Sequence, residues 1–253
     1  MTTWVLLRGL MRESRHWGTF PHQLQKVAGD ANIICIDFPG NGVLCEQSSL
    51  ATIPEMAEYC RQQLLAKSLA PPYHVMAISL GAMVAVAWAE RYPNDLNSMV
   101  LINTSLAPHN PFYQRLRPQN YPRLLRTLIF GNTHHREALV FQLTSQMHDP
   151  ISARAIVDEW IHYARECPIK RRNILRQLRA ASQFQAPEQA PKTPTLLLAS
   201  QLDQLVDVHC SQTLAEKWQA EIKIHDHAGH DLPLDDSAWV IKAIQEWRHE
   251  ILV

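Results

Sequence analysis

Ser79 stands in the run Val75-Met76-Ala77-Ile78-Ser79-Leu80-Gly81-Ala82, where an apolar strand pattern passes directly into a helical one. Reversing the chain within one residue forces that residue into a strained backbone conformation. Such a turn is tolerated only where the residues two before and two after are very small, as Ala77 and Gly81 are. This is the nucleophile elbow, G-x-S-x-G in its usual form, here with Ala77 in place of the first glycine. It exposes the hydroxyl at a helix N-terminus, whose free N–H groups favour developing negative charge. Nucleophilic attack is the chemistry expected of Ser79. A serine that merely caps a helix has no need of the strand leading into it.

A serine nucleophile needs a base, and the base needs an acid to orient it. With an elbow of this kind the chain order is serine, acid, histidine. A strand at Thr195–Ser200 leads into Gln201-Leu202-Asp203, and a strand at Glu221–His225 leads into Asp226-His227-Ala228-Gly229-His230. Asp203 and His230 are the expected acid and base, both beyond C-terminal strand ends on the edge where Ser79 emerges. Asp207 is the rival acid, four residues further on and nearer the next helix. The strand ending at Asn103, another place for an acid, ends in an amide. An oxyanion hole needs two fixed backbone N–H donors. Leu80, directly after the serine, and Leu10, in the loop after the first strand, are expected to supply them, with Gly9 letting that backbone come close. His225-x-His227-x-x-His230 also has the spacing of a dinuclear zinc loop. An aspartate usually precedes the last histidine of that loop, and this chain has Gly229, with His249 the sole histidine downstream. No metal site is expected.

These residues must be carried by a sheet. Strands are expected at Trp4–Arg8, Asn32–Asp37, His74–Ile78 and Leu96–Asn103, alternating with helices at Trp17–Val27, Thr52–Lys67 and Leu80–Tyr92. That alternation gives a parallel, doubly wound sheet. Strand-like runs then disappear, and helical stretches follow at Arg123–Phe130, Arg136–His148, Ala153–Ala164 and Arg171–Ala181. After Pro191 the strands return, with helices at Cys210–Trp218 and Asp235–Ile251. Residues 1–103 and 191–253 are thus expected to form the sheet core, and 104–190 an inserted helical cap. The cap carries twelve Lys/Arg against six Asp/Glu, and the core twelve against eighteen.

Over all 253 residues, 24 Lys/Arg balance 24 Asp/Glu, so no global field recruits nucleic acid or a membrane surface. The five cysteines are odd in number, scattered and without a C-x-x-C pair, which argues against a disulfide framework and for a reducing compartment. The N-terminus lacks the basic and apolar regions of a signal peptide. The most apolar stretch, Ala82 to Ala89, falls far short of the roughly 20 residues that span a bilayer. A cytoplasmic protein without a membrane partner is expected.

Taken together, Leu7-Arg8-Gly9, Trp17, Asp37-Phe38-Pro39-Gly40-Asn41-Gly42, Ala77-Ile78-Ser79-Leu80-Gly81, Asp203 and Ala228-Gly229-His230 resemble the α/β-hydrolase superfamily over nearly the whole chain. In layout the chain is similar to the small capped esterases and thioesterases. The resemblance implies the α/β-hydrolase fold, a mostly parallel doubly wound sheet with an inserted helical cap. It implies a serine hydrolase acting on a carboxylic ester or thioester through an acyl-enzyme, without a cofactor, on a small-molecule or carrier-linked acyl substrate. A lyase or C–C bond hydrolase using the same three residues is the alternative. The acyl group, the leaving group and the oligomeric state stay open.

Members of that superfamily usually have His-Gly where this chain has Arg8-Gly9. Arg8, with Arg12 and Arg15, brings fixed positive charge to the oxyanion loop. Two readings stand side by side. Arg8 binds a substrate carboxylate or phosphate through its planar fork, or it pairs with a core carboxylate and braces the loop. Phe112, Tyr113 and Tyr121 likewise either line a pocket or serve packing.

Overall fold

Six strands, β1 (Thr3–Leu7), β2 (Asn32–Ile36), β3 (Tyr73–Ile78), β4 (Leu96–Ile102), β5 (Thr195–Ser200) and β6 (Glu221–His225), lie in one sheet in the order β2-β1-β3-β4-β5-β6. Every neighbouring pair is parallel. The computed structural model describes residues 2–251. Because all strands run the same way, their C-terminal ends share one edge. The order reverses at β1 and β3, the switch point outside which sheets of this type bind ligands.

Side-chain alternation along the strands divides the core in two. Val5, Leu7, Val75, Ala77, Met99, Leu101 and Leu197 pack on one face against α2 (Ile53–Ala66), α3 (Leu80–Arg91) and α9 (His209–Trp218). Trp4, Leu6, Met76, Ile78, Val100, Ile102, Leu196 and Leu198 pack on the other against α1 (Phe20–Ala28) and α11 (Ser237–Ile251). Helix α3 is apolar all round and buries every residue from Leu80 to Ala89, as a central helix under a sheet should. Its N-terminus presses on the end of β1. A Cβ built on Gly81 would lie 2.6 Å from the Leu7 carbonyl oxygen and 2.8 Å from that of Arg8. Only glycine fits there.

Between β4 and β5 the chain is helical: α4 (Phe112–Arg115), α5 (Tyr121–Phe130), α6 (Thr133–Thr144), α7 (Pro150–Glu166) and α8 (Arg171–Gln183). The two ends of this segment are pinned together by a single bridge between Ala107 and Gln185, with the Ala186 N–H on the Ala107 carbonyl at 2.6 Å. Helix α4 is not among the expected helices, α6 ends at Thr144 where His148 is expected, and two further helices differ from the sequence expectation. The stretch expected as Trp17–Val27 divides at Gly18 (φ 53°) into a 3-10 turn, Ser14–Trp17, and α1. The stretch expected from Asp235 begins at Ser237, after a separate turn of helix, α10 (Leu232–Asp235). No helix among the described residues is long and apolar enough to cross a membrane.

Candidate active site

Ser79 follows β3 directly and precedes the first residue of α3. Its backbone sits at φ 52°, ψ −113°, a conformation uncommon for a residue with a Cβ. The strand holds it there through the Ser79 N–H on the Ile102 carbonyl at 3.0 Å. The helix begins at once, with Ala82 N–H on the Ser79 carbonyl at 3.0 Å. The sharp turn leaves Leu80 N–H among the free donors of the helix N-terminus. Beside it runs the loop after β1: a Cβ built on Gly9 would lie 3.4 Å from Ser79 Cβ and 4.0 Å from Ser79 Oγ. Leu10, the next residue, has no acceptor for its N–H among the described residues.

On the same sheet edge, His230 Nδ1 hydrogen-bonds to Asp203 Oδ2 at 2.6 Å. Both side chains are buried. The other oxygen, Asp203 Oδ1, accepts the backbone N–H groups of Leu205 (2.7 Å) and Val206 (3.0 Å), so the carboxylate cannot swing away. Asp207, the rival acid, is engaged elsewhere, with His209 Nδ1 at 2.6 Å and Arg117 at 3.7 Å. Burial pulls the His230 pKa down, but the charge and hydrogen bond of Asp203, with the nearby charge of Asp231, outweigh it. The net pKa lies above the ordinary 6.5. Since Nδ1 faces the carboxylate, Nε2 is the nitrogen left for chemistry.

The loop carrying His230 is held from three sides. Asp235 Oδ2 accepts the Gly229 N–H at 2.7 Å, and the Asp231 N–H reaches the Thr144 carbonyl of α6 at 2.7 Å. From β4, Asn103 Nδ2 spreads its two hydrogens over the carbonyls of His230 (2.8 Å) and Gly229 (3.2 Å) and Ser200 Oγ (3.0 Å). Asn103 Oδ1 accepts the Ser200 N–H at 2.8 Å. Sequence reasoning assigned Asn103 nothing beyond the lack of an acid.

Arg8 is buried, with its guanidinium fork on Asp231: Nη1 to Oδ1 at 3.0 Å and Nη2 to Oδ2 at 2.5 Å, over the Trp17 ring at 4.8 Å. Arg12 repeats the motif with Glu137 (2.7 Å) and Trp160 (4.5 Å). Arg15 does so with Glu13 (2.7 Å), Glu166 and Tyr163 (4.3 Å). All three cations meet carboxylates of the protein itself. His225, which the zinc spacing singled out, instead ties its own turn, with Nδ1 accepting from the backbone of His227 and Ala228 and Nε2 facing Asp236 at 3.2 Å. Phe112, Tyr113 and Tyr121 are exposed on α4 and α5, so they are not core packing.

A family model described as "Alpha/beta hydrolase family" matches residues 4–243. Monoacylglycerol lipase ABHD6 of Mus musculus is 21% identical over 258 residues, covering 96% of this chain and 74% of its own. RutD of Pseudomonas savastanoi pv. phaseolicola, named as a carbamate hydrolase, is 27% identical over 242 residues, covering 92% and 88%. Among solved structures, a thermophilic esterase from Thermogutta terrifontis superimposes with a TM-score of 0.77 at 19% identity, covering 99% of this chain and 90% of that one.

Proposed function

The chain belongs to the alpha/beta hydrolase family, and from that premise we propose that it is a serine hydrolase cleaving a carboxylic ester or thioester. The observation that carries this reading is the buried Asp203–His230 hydrogen bond on the sheet edge where the strained Ser79 turn emerges. Relatives named for lipid-ester and carbamate hydrolysis support it, since both are acyl transfers to water.

In this reading His230 Nε2 takes the Ser79 proton as Oγ attacks the carbonyl carbon. Asp203 fixes the ring's tautomer and stabilises the imidazolium that results. The Leu80 and Leu10 N–H groups receive the oxyanion, one at the N-terminus of α3 and one on the loop that Gly9 brings beside the serine. His230 then returns its proton to the leaving group. A water activated by the same nitrogen hydrolyses the acyl-enzyme. Arg8 acts as a brace: its fork is filled by Asp231, so the substrate is selected without it. Esters lacking a carboxylate or phosphate are therefore suitable substrates.

A fluorophosphonate probe tests this. Wild type is expected to be labelled at Ser79, Ser79→Ala not at all, and His230→Ala only weakly, because an unassisted serine hydroxyl is a poor nucleophile at neutral pH. Equal labelling of all three would end the reading.

A further inference from the structure

Of the thirteen large apolar side chains that stand exposed among the described residues, eight fall on α4, α5 and α8, helices of 4, 10 and 13 residues. On α4 these are Phe112 and Tyr113, whose rings meet edge to face with centroids 5.7 Å apart. Helix α5 buries no residue fully. Its Tyr121, Leu125 and Ile129 recur every fourth position along one exposed edge, and Phe130 at its end is 81% exposed. Helix α8 buries Asn173, Ile174, Gln177 and Ala180 and turns Leu175 and Leu178 outward. The three helices adjoin. Arg171 Nη2 of α8 donates to the Ile129 carbonyl of α5 at 3.0 Å, and Arg115 Nη2 of α4 to the Ala181 carbonyl of α8 at 2.9 Å. So many apolar groups left outside on adjoining helices mark a surface that something covers.

The charge on this face says what. Residues 112–130 and 170–183 hold nine Lys/Arg and no Asp/Glu. Arg117 (Asp207, 3.7 Å) and Lys170 (Glu46, 2.6 Å) have carboxylate partners; the other seven meet none among the described residues, unlike Arg8, Arg12 and Arg15. Arg171, Arg172, Arg176 and Arg179 share the outward arc of α8 with its two leucines. Pairing this face with the same face of a second copy would set arginines against arginines. A nucleic-acid backbone would leave the leucines and phenylalanines without apolar partners. A lipid surface takes both at one level, its acyl chains receiving the apolar groups while the guanidinium groups reach anionic head groups. The whole-chain balance of 24 against 24 charges, on which the expectation of no membrane partner rests, conceals this segregation.

The inner side of the same helices sits on the catalytic edge. The Arg117 N–H on the Leu205 carbonyl at 2.8 Å, and Asn120 Nδ2 on the Gln204 carbonyl at 2.6 Å, tie the connection between α4 and α5 to the loop after Asp203. Gln177 Oε1 accepts the Met11 N–H at 3.0 Å and so fixes α8 to the loop after β1. We propose that the outer face of α4, α5 and α8 docks on an anionic lipid surface, so that esters held in that surface are the substrates presented to Ser79. The docking rests on exposure and charge; the choice of substrate alone rests on the serine-hydrolase reading.

Co-sedimentation with lipid vesicles tests this, comparing phosphatidylcholine alone with phosphatidylcholine containing about a third phosphatidylglycerol. Wild type is expected to bind the anionic vesicles at least about tenfold more tightly at physiological salt, and about 1 M salt should remove most of the difference. Arg172→Glu with Arg179→Glu, two exposed positions, should weaken anionic binding by about 30-fold. Leu125→Ser with Phe130→Ser should weaken it to a similar degree and leave the salt dependence in place. Both pairs should keep the thermal midpoint and the turnover of dissolved p-nitrophenyl butyrate, and lose turnover of p-nitrophenyl laurate carried in anionic vesicles. Equal binding to both vesicle types, binding to neither, or undiminished binding by the arginine pair would overturn the proposal. An oligomer that the arginine pair dissolves, or salt-sensitive binding to an acidic protein, in either case without vesicle binding, would give the face to that partner instead. Failure of the function reading looks different: wild type would then sediment with anionic vesicles and hydrolyse neither ester.

Discussion

Asn103 Nδ2 donates to the His230 carbonyl at 2.8 Å, so an amide at the end of β4 holds the histidine loop at the end of β6, across the intervening strand. The same side chain accepts the Ser200 N–H of β5. Three strand ends are therefore registered by one residue, itself at φ 46°. An asparagine tolerates that backbone better than most residues.

Asn103→Ala is expected to destabilise the fold by about 2–4 kcal/mol, because it strands buried carbonyl and N–H partners and keeps an unfavourable φ. The urea midpoint should fall, and kcat with it. A variant with unchanged midpoint and full activity would show that the loop is held without the amide.

Asp203→Asn should leave the fold intact, since an amide oxygen can still accept the Leu205 and Val206 N–H groups. The amide nitrogen then faces His230 Nδ1 and favours the wrong tautomer, with an expected loss of about 10⁴ in kcat. Steady-state kinetics beside a circular dichroism spectrum separates this from unfolding.

The raised pKa of His230 acts on activity and stability in opposite directions. As a base the ring must be neutral, so the acidic limb of kcat/KM should lie above pH 6.5 and activity should fall as pH drops through it. As a folded-state cation it stabilises. That contribution is full below the unfolded value of about 6.5 and is lost as pH rises through the folded value. Rate profiles and urea midpoints across pH 5–9 should show the two trends crossing. A limb at or below 6.5 would contradict the prediction.

Breaking the Arg8–Asp231 pair from one side leaves a buried charge uncompensated, so Arg8→Met or Asp231→Leu alone is expected to cost about 3–5 kcal/mol. The double variant, two apolar residues facing each other, should regain most of it. Arg8→Gln should depress neutral and anionic esters alike, with no added salt dependence. A selective loss on anionic esters would instead place Arg8 against the substrate.

Much of this arrangement was legible in the sequence because its signals are local. The elbow is written within five residues, and the strands bearing Asp203 and His230 are short apolar runs ended by turns. The readings that stayed open, or were never made, concern distant pairs. Arg8 meets a carboxylate 223 residues away, so its neighbourhood in the chain could not choose between brace and binder. Asn103 carries no motif, since a buried amide gains its role only from what the fold places against it. The break at Gly18 had a sign, a glycine shortly before Pro21, but the apolar spacing on either side continues as though one helix ran through it.

The order of elements along the chain has a kinetic consequence. Residues 3–102 supply β1 to β4, four adjacent strands, and with them the Ser79 turn and its Gly9 neighbour. Asp203 and His230 arrive only when β5 docks on β4 and β6 on β5, after a long helical detour whose closure is entropically slow. A chain in which only β1 to β4 had formed would hold the Ser79 turn without its expected acid and base. In refolding, the burial of Trp88 against Tyr73 and the bulk of the secondary structure should recover first, and ester hydrolysis last, so that enzymatic activity times the docking of the final strand.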